Sequence, residues 1–206
     1  MMLRGLVICG RALRHIHYQG YVYIWGNVLF FILSLPIVTI PAAWAGLVHM
    51  SYQAQKSPSA EFTLVWEGFK LHLRRGLSLG VINLIIIFVS FTNYAAYRQQ
   101  SAFVFDLLRV LWALILLLWL TIQFYMWPLW YEMRNPTMSG AVRNAAVMLI
   151  LNPLFTLGLW IGVGLIIVVS TVLAPMWLFL TIGTLAAVAT EAVLDRLALH
   201  NQSRKR

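Results

Sequence analysis

Charge is what this sequence has least of. Only 10% of its 206 residues are Asp, Glu, Lys or Arg, against roughly a quarter in ordinary globular chains, so a soluble domain is excluded. Cysteine is nearly absent too: Cys9 stands alone, which leaves no disulfide framework and no cysteine-based metal site. No Gly-rich phosphate loop, Gly-x-Ser-x-Gly elbow or His-Glu-x-x-His is present. His15, His17, His49, His72 and His200 show no spacing with carboxylates that would build a zinc or haem site. The expectation is therefore a protein that is not an enzyme and carries no cofactor.

What fills the chain is apolar residue, 61% of the total, with a mean hydropathy of +0.81. From Arg14 to Lys56 lie 41 residues without a charge, broken only by Pro36 and Pro41. One bilayer crossing needs about 20 apolar residues, so this run suits two crossings. Three more charge-free runs follow, Gly76 to Tyr97, Val110 to Tyr131 and Asn144 to Thr190, suiting one, one and two crossings. The expected fold is all-α, a polytopic membrane helical bundle of six spans, or five if the first run is a single helix bent at Pro36.

The basic residues sort these counts. With six spans, Arg4, Arg11, Arg14, Lys56, Lys70, Arg74, Arg75, Arg134, Arg143, Arg196, Arg204, Lys205 and Arg206 fall on one side, and only Arg98 and Arg109 on the other. Short loops rich in Lys and Arg stay cytoplasmic, so both termini are expected inside. The net charge of +9 is thereby explained by orientation, and no nucleic-acid partner is expected.

The chain reads as a single membrane domain, 1–206. Residues 1–16 form a basic interfacial helix or an extension of the first span, 17–54 a Pro-broken helical hairpin, and 57–75 a cytosolic amphipathic helix with Ser57 and Pro58 at its start. Spans are expected over 76–97, 107–131, 144–168 and 171–194, followed by a basic cytosolic tail, 195–206. No cleavable signal peptide is evident, since Leu6 to Cys9 is too short an apolar core. On the amphipathic helix Phe62, Val65, Trp66 and Phe69 recur at helical spacing. They suit either the bilayer surface, the favoured reading, or a partner groove.

Inside the spans the ionisable residues are few. Asp106 and Arg109 can pair three residues apart, and Glu191 and Asp195 share a face where Arg196 can compensate them. Small residues recur every fourth position at Ala42/Gly46, Gly76/Gly80, Gly158/Gly162 and Gly183/Ala187, a pattern that packs helices closely within one chain. The Gly158/Gly162 pair is also the only pointer to a homodimer, which the sequence leaves open. Asn27, Asn83, Asn93, Gln123 and Asn152 are the remaining polar candidates. No internal repeat is supported.

Trp25-x-Asn27-x-Leu29-Phe30, then Ser34-Leu35-Pro36-Ile37-Val38-Thr39-Ile40-Pro41-Ala42 and the Phe69-Lys70 segment ending in Arg74-Arg75, resemble the YesL-like family of small bacterial membrane proteins. Trp127-Pro128-Leu129, Arg143-Asn144-Ala145 and Asn152-Pro153-Leu154 extend the likeness over most of the chain. Ile40 departs from it, standing where the family usually has glycine before the second proline. The resemblance implies a protein of the bacterial cytoplasmic (inner) membrane whose activity is not established, and whose relatives tend to be encoded beside carbohydrate-uptake ABC transporters. Function on this basis is a non-catalytic accessory or scaffold subunit bound to the lipid bilayer and to a membrane protein such as an ABC permease. The alternative is a passive or facilitated path for a small neutral solute, lined by Asn27, Asn83, Gln123 and Asn152. Pro36, Thr39, Pro41 and Asn27 are expected to form a structural turn, with Thr39 and Asn27 satisfying the backbone the prolines open.

Overall fold

Where apolar periodicity is this continuous, only backbone chemistry can end a helix, and the breaks fall where proline or glutamine intervenes. The computed structural model describes residues 1–98, 100 and 102–204. Among these there is no strand, and the helices are α1 (Met2–Leu33), α2 (Ile40–Lys56), α3 (Leu64–Arg98), α4 (Phe103–Glu132), α5 (Met138–Leu151), α6 (Pro153–Val172) and α7 (Ile182–Arg204). Four stretches are long and apolar enough to cross a membrane: α3, α4, α6 and Trp177–Gln202, which contains α7. This is a membrane protein by that measure.

Several boundaries differ from the sequence reading. The interfacial helix 1–16 and the first arm of the hairpin are joined in α1, whose only interior departure from helical dihedrals is at Gln19 (φ −118°, ψ 28°). The Gln19 Nε2 donates to Ala54 O at 3.3 Å, so the kink is tied to the end of α2. The helix expected over 57–75 begins only at Leu64 and runs without interruption through 76–97. Ser57 is extended, with φ −142° and ψ 132°, because it ends α2 instead of starting the next helix. The span expected over 144–168 is divided between α5 and α6: Pro153 crowds the residue before it, and Asn152 sits at φ −131°, ψ 51°. Of the span expected over 171–194, residues 171 and 172 close α6, and a wide five-residue turn, Trp177–Thr181, precedes α7. The basic tail 195–206 is helical to Arg204, with Lys205 and Arg206 outside the described residues.

Packing then follows the small residues. Helix α2 is covered on most sides, with Ala42, Ala43, Ala45, Leu47, Val48 and Met50 all inaccessible. It lies antiparallel to α3: Gly46 faces Val65 and Phe69, Gly76 faces Ala42, and Gly80 faces Val38. Helix α7 runs antiparallel along α1, since Arg4 meets Asp195 while Tyr23 meets Gly183. Gly5 of α1 lies on Phe155, Gly158 and Leu159 of α6, and Gly162 lies on Cys9. Both glycines of the Gly158/Gly162 pair are thus filled from within the chain, by Met2 and Cys9, and offer no seam to a second copy.

One part of the molecule stands outside this bundle. Every buried residue of α4 lies at or beyond Thr121, and on α3 only Ser90 is buried beyond Gly80. The outer halves of α3 and α4 therefore form a bare apolar hairpin.

Candidate functional site

Three groups of polar residues among the described ones bear on function, each built where helices cross. At the Pro36–Pro41 break, Thr39 Oγ1 lies 2.6 Å from both Leu33 O, the last carbonyl of α1, and Pro36 O in the turn, and shares its proton between them. Pro41 occupies the first turn of α2, where its missing N–H costs nothing. Asn27 lies elsewhere. It is fully buried, its Nδ2 donates to Trp177 O (2.8 Å) and Leu178 O (2.6 Å), and its Oδ1 accepts from Gly183 N at 2.7 Å. The wide turn before α7 frees those carbonyls, because i→i+5 winding shifts backbone partners. The expectation that Asn27 serves the proline turn is therefore corrected: it clamps the break before α7.

The second place is a cleft of ≈ 250 Å³ between α2, α3, α4 and α6, lined by Pro41, Trp44, Asn83, Gln123, Phe124 and Trp160. Asn83 Nδ2 donates to Gln123 Oε1 at 3.0 Å, and Trp119 Nε1 donates to Asn83 Oδ1 at 2.8 Å. Trp160 Nε1 donates to Thr121 Oγ1 at 2.9 Å, and Trp44 stacks on Phe124 with centroids 6.1 Å apart. The Gln123 amide protons have no partner among the described residues, so the cleft can donate to a neutral acceptor. It contains no titratable side chain and cannot move a proton. Asn152 takes no part: its Oδ1 faces Arg196 Nη1 at 3.4 Å. Asn27 and Asn152 thus do not converge with Asn83 and Gln123.

The third place is the ionic junction of α1 and α7. Arg4 grips Asp195 through Nε (3.0 Å) and Nη2 (2.9 Å), Arg11 reaches the same carboxylate at 3.4 Å and Glu191 at 3.9 Å, and Arg196 Nη2 donates to Asp195 at 2.9 Å. Two parallel N–H···O bonds are the strongest form of such a pair. The sequence finds Arg196 as a compensating charge but misses Arg4, because the two ends of the chain meet only in the fold. Arg4 is held more strongly protonated than usual by Asp195. Asp106 and Arg109 do pair, as their spacing suggests.

A buried histidine also escaped the sequence reading. His72 is inaccessible, its Nε2 is 3.0 Å from the Tyr131 hydroxyl, and its ring lies 4.7 Å from that of Trp127. Nearby, Tyr52 donates to Glu132 at 2.5 Å, and Lys56 contacts both. The Tyr52 contact raises the Lys56 ammonium above its ordinary value.

The stripe expected to face a partner is mostly occupied within the chain. Val65 is inaccessible and Phe69 is 8% exposed, both against Gly46, while Phe62 packs on Tyr21 and Trp25. Only Trp66, 45% exposed, remains outward, stacked on Phe69. This corrects the stripe as a docking surface: α2 uses glycine where α3 brings its large side chains. No family model matches the chain, and no curated protein or solved structure matches it.

Proposed function

We propose that this chain is a non-catalytic accessory subunit of a membrane complex in the bacterial cytoplasmic membrane. The observation that carries this reading is the bare hairpin of α3 and α4. The most apolar window of α4 is 0% buried within the chain and that of α3 22%, against 56% for the window that contains α7. Lipid alone can cover such a surface, but a two-helix projection beyond the bundle is also the shape that docks laterally against another membrane protein. The YesL-like likeness points to a permease of a carbohydrate ABC importer as that neighbour.

The hairpin also bears on topology. Val38, at the turn between α1 and α2, rests on Gly80, and α3 runs on from Val81 to Arg98, roughly 27 Å at 1.5 Å per residue. We take the first hairpin to cross with α6 and α7, because Asn27 of α1 bonds the turn between those two helices, so that α1 and α2 add two crossings to those of α3, α4, α6 and the helix that includes α7. That count keeps the termini inside and leaves the basic residues sorted by side. A cysteine-directed, membrane-impermeant label at Val38→Cys tests it: reaction from outside the cell is expected, and protection leaves only four crossings.

Photo-crosslinking side chains at Phe88 and Leu114, 71% and 48% exposed on the hairpin, test the accessory role, with Leu165 on α6 as control. The expected result is capture of one discrete membrane protein at Phe88 and Leu114 and none at Leu165. Recovery of the uncaptured chain at all three positions overturns it. The facilitated path for a neutral solute has one observation in its favour, the shared cleft of Asn83 and Gln123.

A further inference from the structure

We propose that the cleft between α5, the end of α4 and α7 binds the phosphate-bearing headgroup of an anionic phospholipid from the cytoplasmic leaflet, with Arg196 as its anchor. The cleft measures ≈ 300 Å³, and Leu129, Val147, Met148, Leu151, Asn152 and Arg196 are among its walls. That is the low end of small-molecule sites, suited to a headgroup and not to a whole lipid.

Arg196 is 8% exposed, and its Nε is buried without an acceptor among the described residues. Its guanidinium lies 4.0 Å from the Phe155 ring centroid, so one face is already committed. Asn152 Oδ1 at 3.4 Å is a long contact for an arginine. The carboxylate it does reach, Asp195, is shared with Arg4 and Arg11. Three guanidiniums therefore share two carboxylates, Asp195 and Glu191, and Arg196 is the one of the three that is almost withdrawn from water. A buried N–H without an acceptor is costly, and an anion in the adjoining cleft supplies one beside a guanidinium whose single carboxylate is shared.

The walls select a lipid over a free anion. From the cleft the surface continues over Ile150, Leu151 and Leu154, which are 74%, 71% and 59% exposed. A phosphate ion makes no use of that apolar path, whereas an acyl chain lies along it. Basic pockets between membrane helices on the cytoplasmic side have this chemistry in general. The assignment to the cytoplasmic leaflet rests on the orientation proposed above; the anionic headgroup and acyl path do not.

The test uses the full chain in a neutral detergent, titrated separately with phosphatidylglycerol, phosphatidylcholine and inorganic phosphate, and read as bound adducts by native mass spectrometry. Phosphatidylglycerol is expected to bind about fivefold more tightly than phosphatidylcholine, the discrimination one arginine near a bilayer surface provides. Val147→Trp fills the cleft from a position 46% exposed while leaving Arg196 and its Asp195 partner in the sequence, and is expected to abolish that preference while the lipid-free melting temperature holds. Arg196→Lys keeps the charge, loses the fork and is expected to weaken the preference. Equal binding of the two lipids, full preference in Val147→Trp, or an equally stable adduct with inorganic phosphate each overturns the proposal.

Discussion

Replacing Gly76 by alanine loads one of the close backbone contacts in the bundle. A Cβ built at Gly76 falls 2.5 Å from Ala42 Cα and 2.6 Å from Ala42 N, where ordinary contact begins at 3.4 Å. Because the obstacle is the backbone of α2, no side-chain rotation relieves it, and α2 and α3 must separate locally by roughly 1 Å. Separation also disturbs the neighbouring contacts at Gly46 on Val65 O and Gly80 on Val38 O, since these lie along one interface. Overpacking of this kind costs about 1–3 kcal/mol. Gly164→Ala is the matched control: it sits in α6 with nothing within 4 Å, so it gains helix propensity of about 0.5–1 kcal/mol and no clash. Thermal unfolding of the purified protein in detergent, followed by tryptophan fluorescence, compares the two. Gly76→Ala is expected to melt several degrees lower than the parent and Gly164→Ala no lower. Indistinguishable melting of the two variants refutes the close-packed interface.

Three other perturbations have defined outcomes. Asn27→Leu strips the partners from Trp177 O, Leu178 O and Gly183 N at once and is expected to cost about 2 kcal/mol or more, measured by the same melting assay. A loss no greater than that of an exposed Leu→Ala control argues against the clamp. Asp195→Asn weakens the hold on Arg4 and Arg11. Since Arg4 is 40% exposed, water offsets part of the loss, and the clearer readout is faster tryptic cleavage at Arg11 and Arg14. Burial holds the His15 imidazole below its ordinary value of 6.5, in a cleft shared with Arg11, Arg14, Tyr18, Gln55 and Glu191. The unfolded chain therefore takes up a proton first, so stability is full above 6.5 and falls as pH drops below it. His15→Gln is expected to flatten the pH dependence of melting between 7 and 5, and an unchanged slope assigns it to other groups.

The membrane class, the helical content and the close packing of small residues were legible because each depends on local composition and spacing. Gly76 meets α2 and Gly80 the turn that leads into it, a close packing of the kind the four-residue recurrence suggests. The pairing of Asp106 with Arg109 was legible for the same reason. What composition conceals is which apolar face is covered. Val65 and Trp66 are adjacent in one stripe, yet one is inaccessible and the other 45% exposed, and only the position of Gly46 decides between them. Likewise α5 and α6 form one apolar run by hydropathy, and the break at Asn152 comes from the steric demand of Pro153, which a charge-free window does not register. Arg4 with Asp195, and His72 with Tyr131, are separated by too much chain for spacing to relate them.

Two of the breaks in the apolar backbone are closed by the same chemistry. At the first, Thr39 returns its hydroxyl to the last carbonyl of α1 and to Pro36 O in the turn; at the second, Asn27 spends both ends of its amide on the turn before α7. In hydrocarbon an open carbonyl costs several kcal/mol, so a broken helix keeps a polar side chain beside it. Polar residues in these helices are accordingly weak indicators of a solute path until their backbone duties are subtracted. After that subtraction Asn83 and Gln123 remain, joined to each other and to Trp119, together with the buried Arg196 guanidinium of the α1–α7 junction. The first is neutral and walled by aromatic rings; the second is charged and opens beside the bare face of α5. The junction is the one of the two that draws a charged ligand, and for that reason lipid recognition at Arg196 is a more direct consequence of this fold than transport through its centre.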